Sequence, residues 1–252
     1  MIDLDLTSID DGLSLRQLQT QETPVMEIAH TVFDWEWVPY QKELLLYLLD
    51  GNWSRLMLEA PPRHRKTTII GMFMALTLGR NPNARILVAS HTRNYSTLMM
   101  NLCENIMRQP IFIRAFGDLL PKGHDNVKWT DSERHLPNRP PALKDPTMLA
   151  LSPGAATPGF GAELIVADDI VTQANSISPT TRRHIEHWFD GSLLKRLEPD
   201  GKILVSGARF YREDLYGVLE GRPGWETRKY IATAEAPLWP ERWPSEALRQ
   251  KE

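Results

Sequence analysis

A short polar segment between two apolar stretches contains the residue types that bind phosphate groups. It reads Ala60-Pro61-Pro62-Arg63-His64-Arg65-Lys66-Thr67-Thr68. A strand, a tight loop, a Lys-Thr pair and a helix form the layout of a phosphate-binding loop, because main-chain amides at the helix N-terminus donate to the anion. Lys66 would place a positive charge at the β- and γ-phosphates, and the Thr67 hydroxyl would bind Mg²⁺.

This loop departs from the usual G-x-x-x-x-G-K-[ST] pattern at both glycines. Ala60 replaces the first glycine and Arg65 the second. A left-handed conformation at position 65 would cost a non-glycine residue about 1–2 kcal/mol. A charge-assisted hydrogen bond from Arg65 to phosphate would contribute about 1.5–3 kcal/mol. The loop by itself fits a phosphate site and an ordinary Pro-Pro turn before a basic helix equally well.

Two acids follow another apolar stretch, 102 residues after Lys66. They are Asp168 and Asp169, directly after Leu164-Ile165-Val166-Ala167. An acid at the C-terminal end of a buried parallel strand lies at the sheet edge where ligands bind in α/β proteins. Asp168 would hold Mg²⁺ directly or through water, and Asp169 would orient and activate the attacking water. Such a pair alone could merely cap the next segment, but its place after a phosphate-type loop favours nucleotide binding.

A third polar strand end is Ser206-Gly207-Ala208-Arg209, after the apolar run KILVS. Ser206 beside the acidic strand end would sense the γ-phosphate, and Arg209 would relay that state to a neighbouring surface. Without the other two elements, a strand–glycine turn with a solvated arginine would be the preferred interpretation.

The polar segments adjoin short apolar runs that alternate with helical stretches. The runs are 56–60, 85–90, 147–152, 163–168 and 202–207, and helices are predicted at Gln41–Asp50, Thr67–Leu78, Tyr95–Arg108 and Pro179–Leu194. Continuous apolar runs are typical of strands buried on both faces of a parallel sheet. The alternation predicts an α/β fold with a mostly parallel central sheet flanked by helices. The charged, proline-rich segment 121–146 is expected to be a surface excursion.

Composition excludes several classes of protein. Of the 252 residues 42% are hydrophobic and 24% charged, which excludes a disordered or coiled-coil chain. The longest nearly apolar run, Ile69–Leu78, is too short to cross a bilayer. The single cysteine, Cys103, excludes an internal disulfide and a zinc site built on several thiolates.

The charge is unevenly distributed along the chain. Residues 1–36 hold eight of the 32 acidic and one of the 29 basic residues, which leaves 24 acids and 28 bases in the remainder. A mildly basic main body fits a polyanionic partner, and it fits equally well an acidic arm that lies against that body.

Six stretches, in order, resemble the large terminase subunit of tailed bacteriophages, the motor that packages DNA into capsids. They are WVPYQKELL, APPRHRKTT, ILVASHTRNYSTLMMNL, SPGAATPGFGAELIVADDIV, GKILVSGARFYREDLYG and APLWPERWPSEAL, within about residues 37–245. The resemblance implies a P-loop NTPase fold of the additional-strand, catalytic-acid type. It also implies hydrolysis of ATP with Mg²⁺ to translocate double-stranded DNA into a procapsid.

With the resemblance, the site comprises catalytic, nucleotide-binding and metal-binding residues. By the family pattern Gln41, after Tyr40, would contact adenine. The expected nucleotide-binding residues are Tyr40, Gln41, Pro62, Arg63, His64, Arg65, Lys66, Thr67, Thr68 and Ser206. Lys66, Asp169 and Arg209 are the expected catalytic residues, and Thr67 and Asp168 the expected metal ligands. The implied partners are the portal protein, the small terminase subunit and further copies of the chain in a ring, in the host cytoplasm at the portal vertex of the procapsid.

Three features depart from the family pattern. Arg65 stands where the family normally has glycine, and Phe160 where many relatives carry an arginine that acts across subunits. Candidates for that role are Arg134, Arg139, Arg182 and Arg183. The third departure is that no nuclease domain follows residue 252, so no nuclease activity is expected from this chain.

The expected organisation is an acidic arm at 1–36, a P-loop ATPase domain at 37–235, and a linker or helix start at 236–252 that leads toward an absent C-terminal nuclease domain. Two other functions compete with packaging. One is a helicase-like DNA translocase, which shares the loop and the acid pair. The other is a catalytically impaired nucleotide-fold scaffold, for which Arg65 is the main argument.

Overall fold

The computed structural model describes residues 22–50, 52–154 and 159–250 of the chain. Most of the predicted acidic arm, residues 1–21, lies outside the described residues, as do residues 155–158 before Phe160. Within the described ranges the chain forms a seven-stranded sheet with helices on both faces.

The strands coincide with the apolar runs of the sequence at the centre of the sheet. They are β1 Arg55–Glu59, β2 Ile86–Ala89, β3 Glu133–Arg134, β4 Met148–Leu151, β5 Ala162–Asp168, β6 Leu197–Gly207 and β7 Glu226–Lys229. Their order across the sheet is β3-β4-β2-β5-β6-β1-β7, and β3 is the antiparallel member of this described set. One strand, β6, therefore separates β1 from β5. The predicted α/β fold with a mostly parallel central sheet flanked by helices is confirmed.

Nine α-helices accompany the strands in the described ranges. They are α1 Glu22–Phe33, α2 Pro39–Asp50, α3 Lys66–Arg80, α4 Arg93–Met107, α5 Pro110–Phe116, α6 Gln173–Ser176, α7 Pro179–Trp188, α8 Leu215–Glu220 and α9 Ser245–Arg249. Helices α2, α3 and α4 match the predicted ones to within a few residues. The predicted helix Pro179–Leu194 is too long: α7 passes into a π-helical turn, Phe189–Leu193. Gly191 lies within that turn, and glycine is a weak α-helix former.

Side chains of the central strands are buried on both faces of the sheet. Along β1, Leu56 and Leu58 pack against the layer of α1 to α5, whereas Met57 between them packs against the layer of α7 and α8. All three are 0% exposed. Because alternate side chains of a strand point to opposite faces, a strand covered on both sides needs an uninterrupted apolar run. Full burial of each such side chain contributes about 1.5–3 kcal/mol.

Helix α3, which begins directly after the phosphate-type loop, is enclosed along most of its length. A Cβ atom on Gly71 would lie 2.6 Å from Cδ2 of Leu102, so glycine at this position lets α3 approach α4 closely. The loop is thus attached to a helix that is fixed in the core. None of the helices in the described ranges has the length and hydropathy needed to cross a membrane.

The sequence did not predict the outer elements of the fold. Strand β7 has the sequence ETRK and pairs with β1 at the sheet edge, where no apolar run is required. Helix α1 lies in the segment expected to be an arm, yet Val25, Ile28 and Ala29 are buried in the core. The charged segment 121–146 contains the two-residue strand β3 and otherwise turns and irregular backbone, in agreement with a surface excursion.

Candidate functional site

Four parallel strands end at the same edge of the sheet and bring the polar strand ends together. The loop of residues 60–65 follows β1, His91 follows β2, Asp168 ends β5, and Ser206 lies one residue before the end of β6. In the parallel register, Ser206 of β6 lies between Asp168 of β5 and Leu58 of β1. This edge is where α/β proteins bind ligands.

Lys66, at the start of α3, lies between the two acids. Its Nζ is 2.8 Å from Oδ1 of Asp169 and 3.3 Å from Oδ1 of Asp168. The Thr67 hydroxyl donates to Oδ2 of Asp168 at 2.7 Å, and the Ser206 hydroxyl donates to Oδ1 of the same carboxylate. The structure thus brings together five of the residues that the sequence singled out: the lysine, the threonine, both acids and Ser206.

Burial and charge act against each other in this cluster. Burial alone would lower the pKa of Lys66, but the carboxylates of Asp168 and Asp169 outweigh it and raise the pKa above its ordinary value. Burial raises the pKa of Asp169, and the charge of Asp168 raises it further, whereas Lys66 and His91 act in the opposite direction. A carboxyl group with a raised pKa is better suited to accept a proton near neutral pH.

We expect the Asp169→Asn variant to unfold less readily than the unsubstituted chain at pH 7. A carboxyl with a higher pKa in the folded than in the unfolded chain binds protons more tightly when folded, so stability falls as pH rises from the unfolded pKa, about 3.9, through the folded one. The advantage should disappear below about pH 4, where both states are protonated. Urea unfolding of both chains between pH 4 and pH 7.5 measures this difference in stability.

The comparison variant for this experiment is Asp131→Asn, an identical change at an exposed position. Asparagine also tolerates the left-handed backbone of Asp169, whose φ is 50°. A stability difference that stays constant between pH 4 and 7.5 would contradict the expectation.

The left-handed backbone of Asp169 is held from two sides. Its N–H donates to the carbonyl of Ser206 at 2.8 Å. Its own carbonyl accepts from the main-chain N–H of His91 at 3.3 Å and lies 3.1 Å from Nδ1 of the same residue. The ends of β2 and β6 therefore fix the second acid. His91 was not singled out from the sequence, although it follows an apolar strand in the same way as Asp168 does.

Two arginines of the loop adopt left-handed backbone conformations. The φ angle is 62° at Arg63 and 67° at Arg65. The guanidinium of Arg65 lies 3.6 Å from the ring centroid of Trp35 and 4.4 Å from that of Trp239. Each cation–π contact contributes about 0.5–2 kcal/mol, which is comparable with the cost of about 1–2 kcal/mol for a left-handed non-glycine residue. These contacts account for the replacement of glycine at position 65.

The predicted adenine contacts lie behind the loop. Gln41 is 0% exposed, and its amide nitrogen donates to the Tyr40 hydroxyl at 3.2 Å. The Tyr40 hydroxyl in turn donates to the carbonyl of His64, and burial raises its pKa to about 12. His64 is also buried, and its ring stacks on Trp243 with centroids 5.9 Å apart. In this structure Tyr40, Gln41 and His64 support the loop from within the protein.

The segment after β6 is attached to α8 rather than to the acid cluster. Arg209 donates from Nη1 to Oε2 of Glu220 at 2.6 Å and from Nη2 to the carbonyl of Arg212 at 3.1 Å. The buried Tyr216 hydroxyl accepts from the N–H of Val171 at 3.1 Å and donates to the carbonyl of Ser206 at 3.3 Å. The α8 helix therefore contacts the ends of both β5 and β6.

A cavity of about 720 Å³ opens above the cluster. Of the predicted catalytic, nucleotide-binding and metal-binding residues described in the structure, seven line it: Pro62, Arg63, Arg65, Lys66, Thr67, Asp168 and Asp169. The opposite wall is contributed by His91 and by residues of α4, including Tyr95 and Leu98, which the sequence did not indicate. Tyr95 and Leu98 are 54% and 59% exposed.

The cluster fits Mg²⁺ bound in the manner of a nucleotide site. The described residues include no group of three or more His, Cys, Asp or Glu side chains that could hold a metal without help. Mg²⁺ in phosphoryl-transfer sites is usually bound by one or two protein oxygens together with substrate phosphates and waters. The Thr67 hydroxyl and the Asp168 carboxylate, which already contact each other, provide those protein oxygens.

The arginines proposed to act across subunits differ in their surroundings. Arg134 is 5% exposed and donates to Oδ1 of Asn101 at 2.7 Å. Arg139 and Arg182 each donate to a main-chain carbonyl of the same chain at 2.7 Å. Arg183 is exposed on α7. Three of the four candidates are thus engaged within their own chain.

Comparisons with known proteins found similarity over part of two relatives. The chain matches no protein-family model. It is 26% identical over 209 residues to the terminase large subunit of Enterobacteria phage T3, which covers 81% of this chain and 32% of that protein. It is similar in fold, with a TM-score of 0.51 and 10% identity, to a chain from a structure of Saccharomyces cerevisiae Dbp5 bound to Nup159, Gle1, IP6 and ADP. That similarity covers 84% of this chain and 52% of the other.

These similarities bear on part of each relative only. The chain spans about a third of the length of the phage protein and about half of the yeast structure's chain. Within that part, the yeast chain shares the α/β fold of this chain, and the phage relative is a terminase large subunit. The predicted resemblance of this chain to a terminase large subunit is confirmed.

Proposed function

We propose that this chain is the ATPase domain of a viral DNA-packaging motor. It hydrolyses ATP with Mg²⁺ to move double-stranded DNA into a procapsid. The observation that carries the proposal is the position of Lys66, whose ammonium lies between Asp168 and Asp169 at the N-terminus of α3. A lysine, a hydroxyl and two carboxylates that converge on a helix N-terminus form the arrangement that phosphoryl transfer requires.

The residues of the cluster have separable roles in this proposal. The amides of the loop and of the α3 N-terminus donate to the β- and γ-phosphate oxygens, and Lys66 neutralises part of their charge. Phosphate would take over part of the interaction that Lys66 makes with the two carboxylates. Asp169 orients the attacking water and accepts its proton, a role that its raised pKa favours. His91 and Ser206 hold the backbone of Asp169 in place.

Thr67 and Asp168 are the residues that would hold Mg²⁺. When bound, the ion would neutralise the charge that develops on the phosphate oxygens. Ser206, which donates to Asp168, orients that carboxylate. Arg209 and α8 would carry the change at the strand ends to the surface, because Tyr216 of α8 contacts the ends of β5 and β6.

The wider role rests on similarity to the phage terminase large subunit. The proposed setting is a ring of copies that works with a portal protein and a small terminase subunit at the portal vertex, in the host cytoplasm. The proposed domain runs from 37 to 235, with residues 236–252 as a connection to another domain. The alternative within the same fold is a helicase-like DNA translocase. The yeast chain has a similar fold, which is compatible with this alternative.

A second candidate function is a nucleotide-fold scaffold that binds ATP without turnover. It is favoured by Arg65, whose guanidinium contacts two indoles in place of the glycine that usually ends the loop. This candidate shares the binding site with the proposed function and differs in the absence of turnover.

The experiment that tests the proposal is phosphate release by the purified chain with ATP, Mg²⁺ and linear double-stranded DNA. We expect Mg²⁺-dependent turnover that duplex DNA stimulates. The turnover rate per chain should rise with protein concentration, because a neighbouring copy would complete the site. ATP binding without turnover under all these conditions would favour the scaffold. Strand displacement without any capsid component would favour the helicase-like alternative.

A further inference from the structure

We infer that Arg65 is a positioning residue that fixes the phosphate-binding loop by inserting its guanidinium between Trp35 and Trp239. This inference rests on the proposed ATP site and deepens it. Arg65 would act on nucleotide through the shape of the loop and would make no bond to phosphate.

The contact consists of one planar cation and two indole rings close to it, and this pair of rings is called the slot here. Two indoles lie at 3.6 and 4.4 Å from the guanidinium carbon of Arg65. Trp239 is 7% exposed, and Trp35 stacks on Phe33 with centroids 4.4 Å apart. Both walls of the slot are therefore held by the protein.

The guanidinium is partly removed from water at this contact. Its Nη1 is buried and has no hydrogen-bond partner among the described residues. Burial lowers the pKa of Arg65, and the nearby charge of Arg242 lowers it further. The indole faces are what favours the cation here, because a desolvated guanidinium gains most from aromatic quadrupoles.

The slot matters for the loop because of the backbone at position 65. With φ at 67°, Arg65 has the left-handed conformation that precedes Lys66, the first residue of α3. A Cβ atom at this φ has an energetic cost, which contacts of the side chain can offset. Anchoring the side chain on Trp35 and Trp239 keeps this conformation and so keeps the amides and Lys66 directed at one point.

The two walls come from opposite ends of the described chain. Trp35 precedes α2, and Trp239 belongs to the segment between β7 and α9. His64, next to Arg65, stacks on Trp243 of that same segment. The loop is consequently attached to the chain on both sides of the sheet-forming region, and a change in its shape would reach residues 239–243 directly.

The first test is a double-mutant cycle in urea with Arg65→Ala, Trp239→Leu and the double variant. If the contact holds the loop, we expect the two substitutions to be coupled by about tenfold in the equilibrium constant for unfolding, about 1.4 kcal/mol. Trp225→Leu, a half-buried indole that packs on Phe189 elsewhere in the fold, is the matched control and should show no coupling to Arg65→Ala. Equal coupling for both tryptophans, or none for Trp239, would overturn the inference.

The second test is calorimetric binding of a non-hydrolysable ATP analogue with Mg²⁺. Trp239→Leu should weaken binding about fivefold in the chain with Arg65, and should change it less than twofold in the Arg65→Gly background, where the loop needs no anchor. If Arg65 instead bonds to phosphate, Trp239→Leu frees its guanidinium and leaves binding unchanged or tighter, which would overturn the inference. Absence of analogue binding by the unsubstituted chain would reject the ATP site itself, whereas the unfolding cycle would still report on the slot.

Discussion

Lys66→Ala is expected to reduce ATP turnover by about 10²–10³-fold, the range found when a preorganised group that stabilises transition-state charge is removed. The ammonium of Lys66 is the positive side-chain charge that the structure places between the two acids at the loop. Without it, two carboxylates would face the triphosphate without the ammonium that lies between them. ATP affinity should fall as well, since a hydrogen bond to a charged group contributes about 1.5–3 kcal/mol. Phosphate release and calorimetric binding measure the two effects.

The controls for this variant separate catalysis from folding. Lys66 is 9% exposed, and its removal leaves the nearly buried Asp168 without a counter-charge, so some loss of stability is expected. Lys66→Gln keeps hydrogen-bond donors for the carboxylates and should fold with turnover still reduced. Lys122→Ala removes an exposed lysine that pairs with Asp118 on the surface and should leave turnover unchanged. The proposed site would be falsified if Lys66→Ala bound and hydrolysed ATP at the level of this control.

Asp169→Asn is expected to lower turnover by about 10²–10⁴-fold, the usual contribution of a general base, while nucleotide binding changes only a few-fold. Asparagine can occupy the left-handed backbone of position 169 and can still accept a hydrogen bond from Lys66, but it cannot take a proton from water. Single-turnover hydrolysis and binding of the ATP analogue distinguish the two effects. The same variant is expected to be more stable than the unsubstituted chain at pH 7.

The two expectations for Asp169→Asn belong together. A carboxylate held by burial and by the charge of Asp168 in an unfavourable environment reduces stability, and the same environment makes it a better base. A variant that lost turnover and stability together would indicate a structural role for Asp169. Normal turnover with increased stability would remove Asp169 from the proposed mechanism and leave water activation to another group.

Strand prediction succeeded where a strand is covered on both faces and failed at the edges. The runs that contain Leu56, Val88 and Val166 are apolar because each of these strands packs against helices on both sides of the sheet. Strand β7 and the first half of β6 are polar because they face solvent, and nothing in their composition distinguishes them from loops. The π-helical turn after α7 was also missed. A π-helix differs from an α-helix by one step in the main-chain hydrogen bonds, and the apolar pattern of the sequence does not record that difference.

The sequence by itself predicted which side chains would meet at the candidate site. Lys66, Thr67, Asp168 and Asp169 each follow directly from an apolar strand or its loop, and parallel strands carry their C-terminal ends to one edge whatever the details of packing. Local order along the chain was sufficient to predict the α/β sheet and a cluster of these four side chains. His91 obeys the same rule and could have been found with it.

Only the tertiary structure decided how Arg65 is accommodated. Its partners, Trp35 and Trp239, lie 30 residues before and 174 residues after it, and the sequence contains eight tryptophans with no spacing that distinguishes these two. Cation–π contacts depend on side-chain directions a few ångströms apart, which no period of two or 3.6 residues encodes. The same is true of Gln41 and Tyr40, whose burial behind the loop follows from the packing of α2. Periodic burial is encoded locally, whereas contacts between distant segments exist only after the chain has folded.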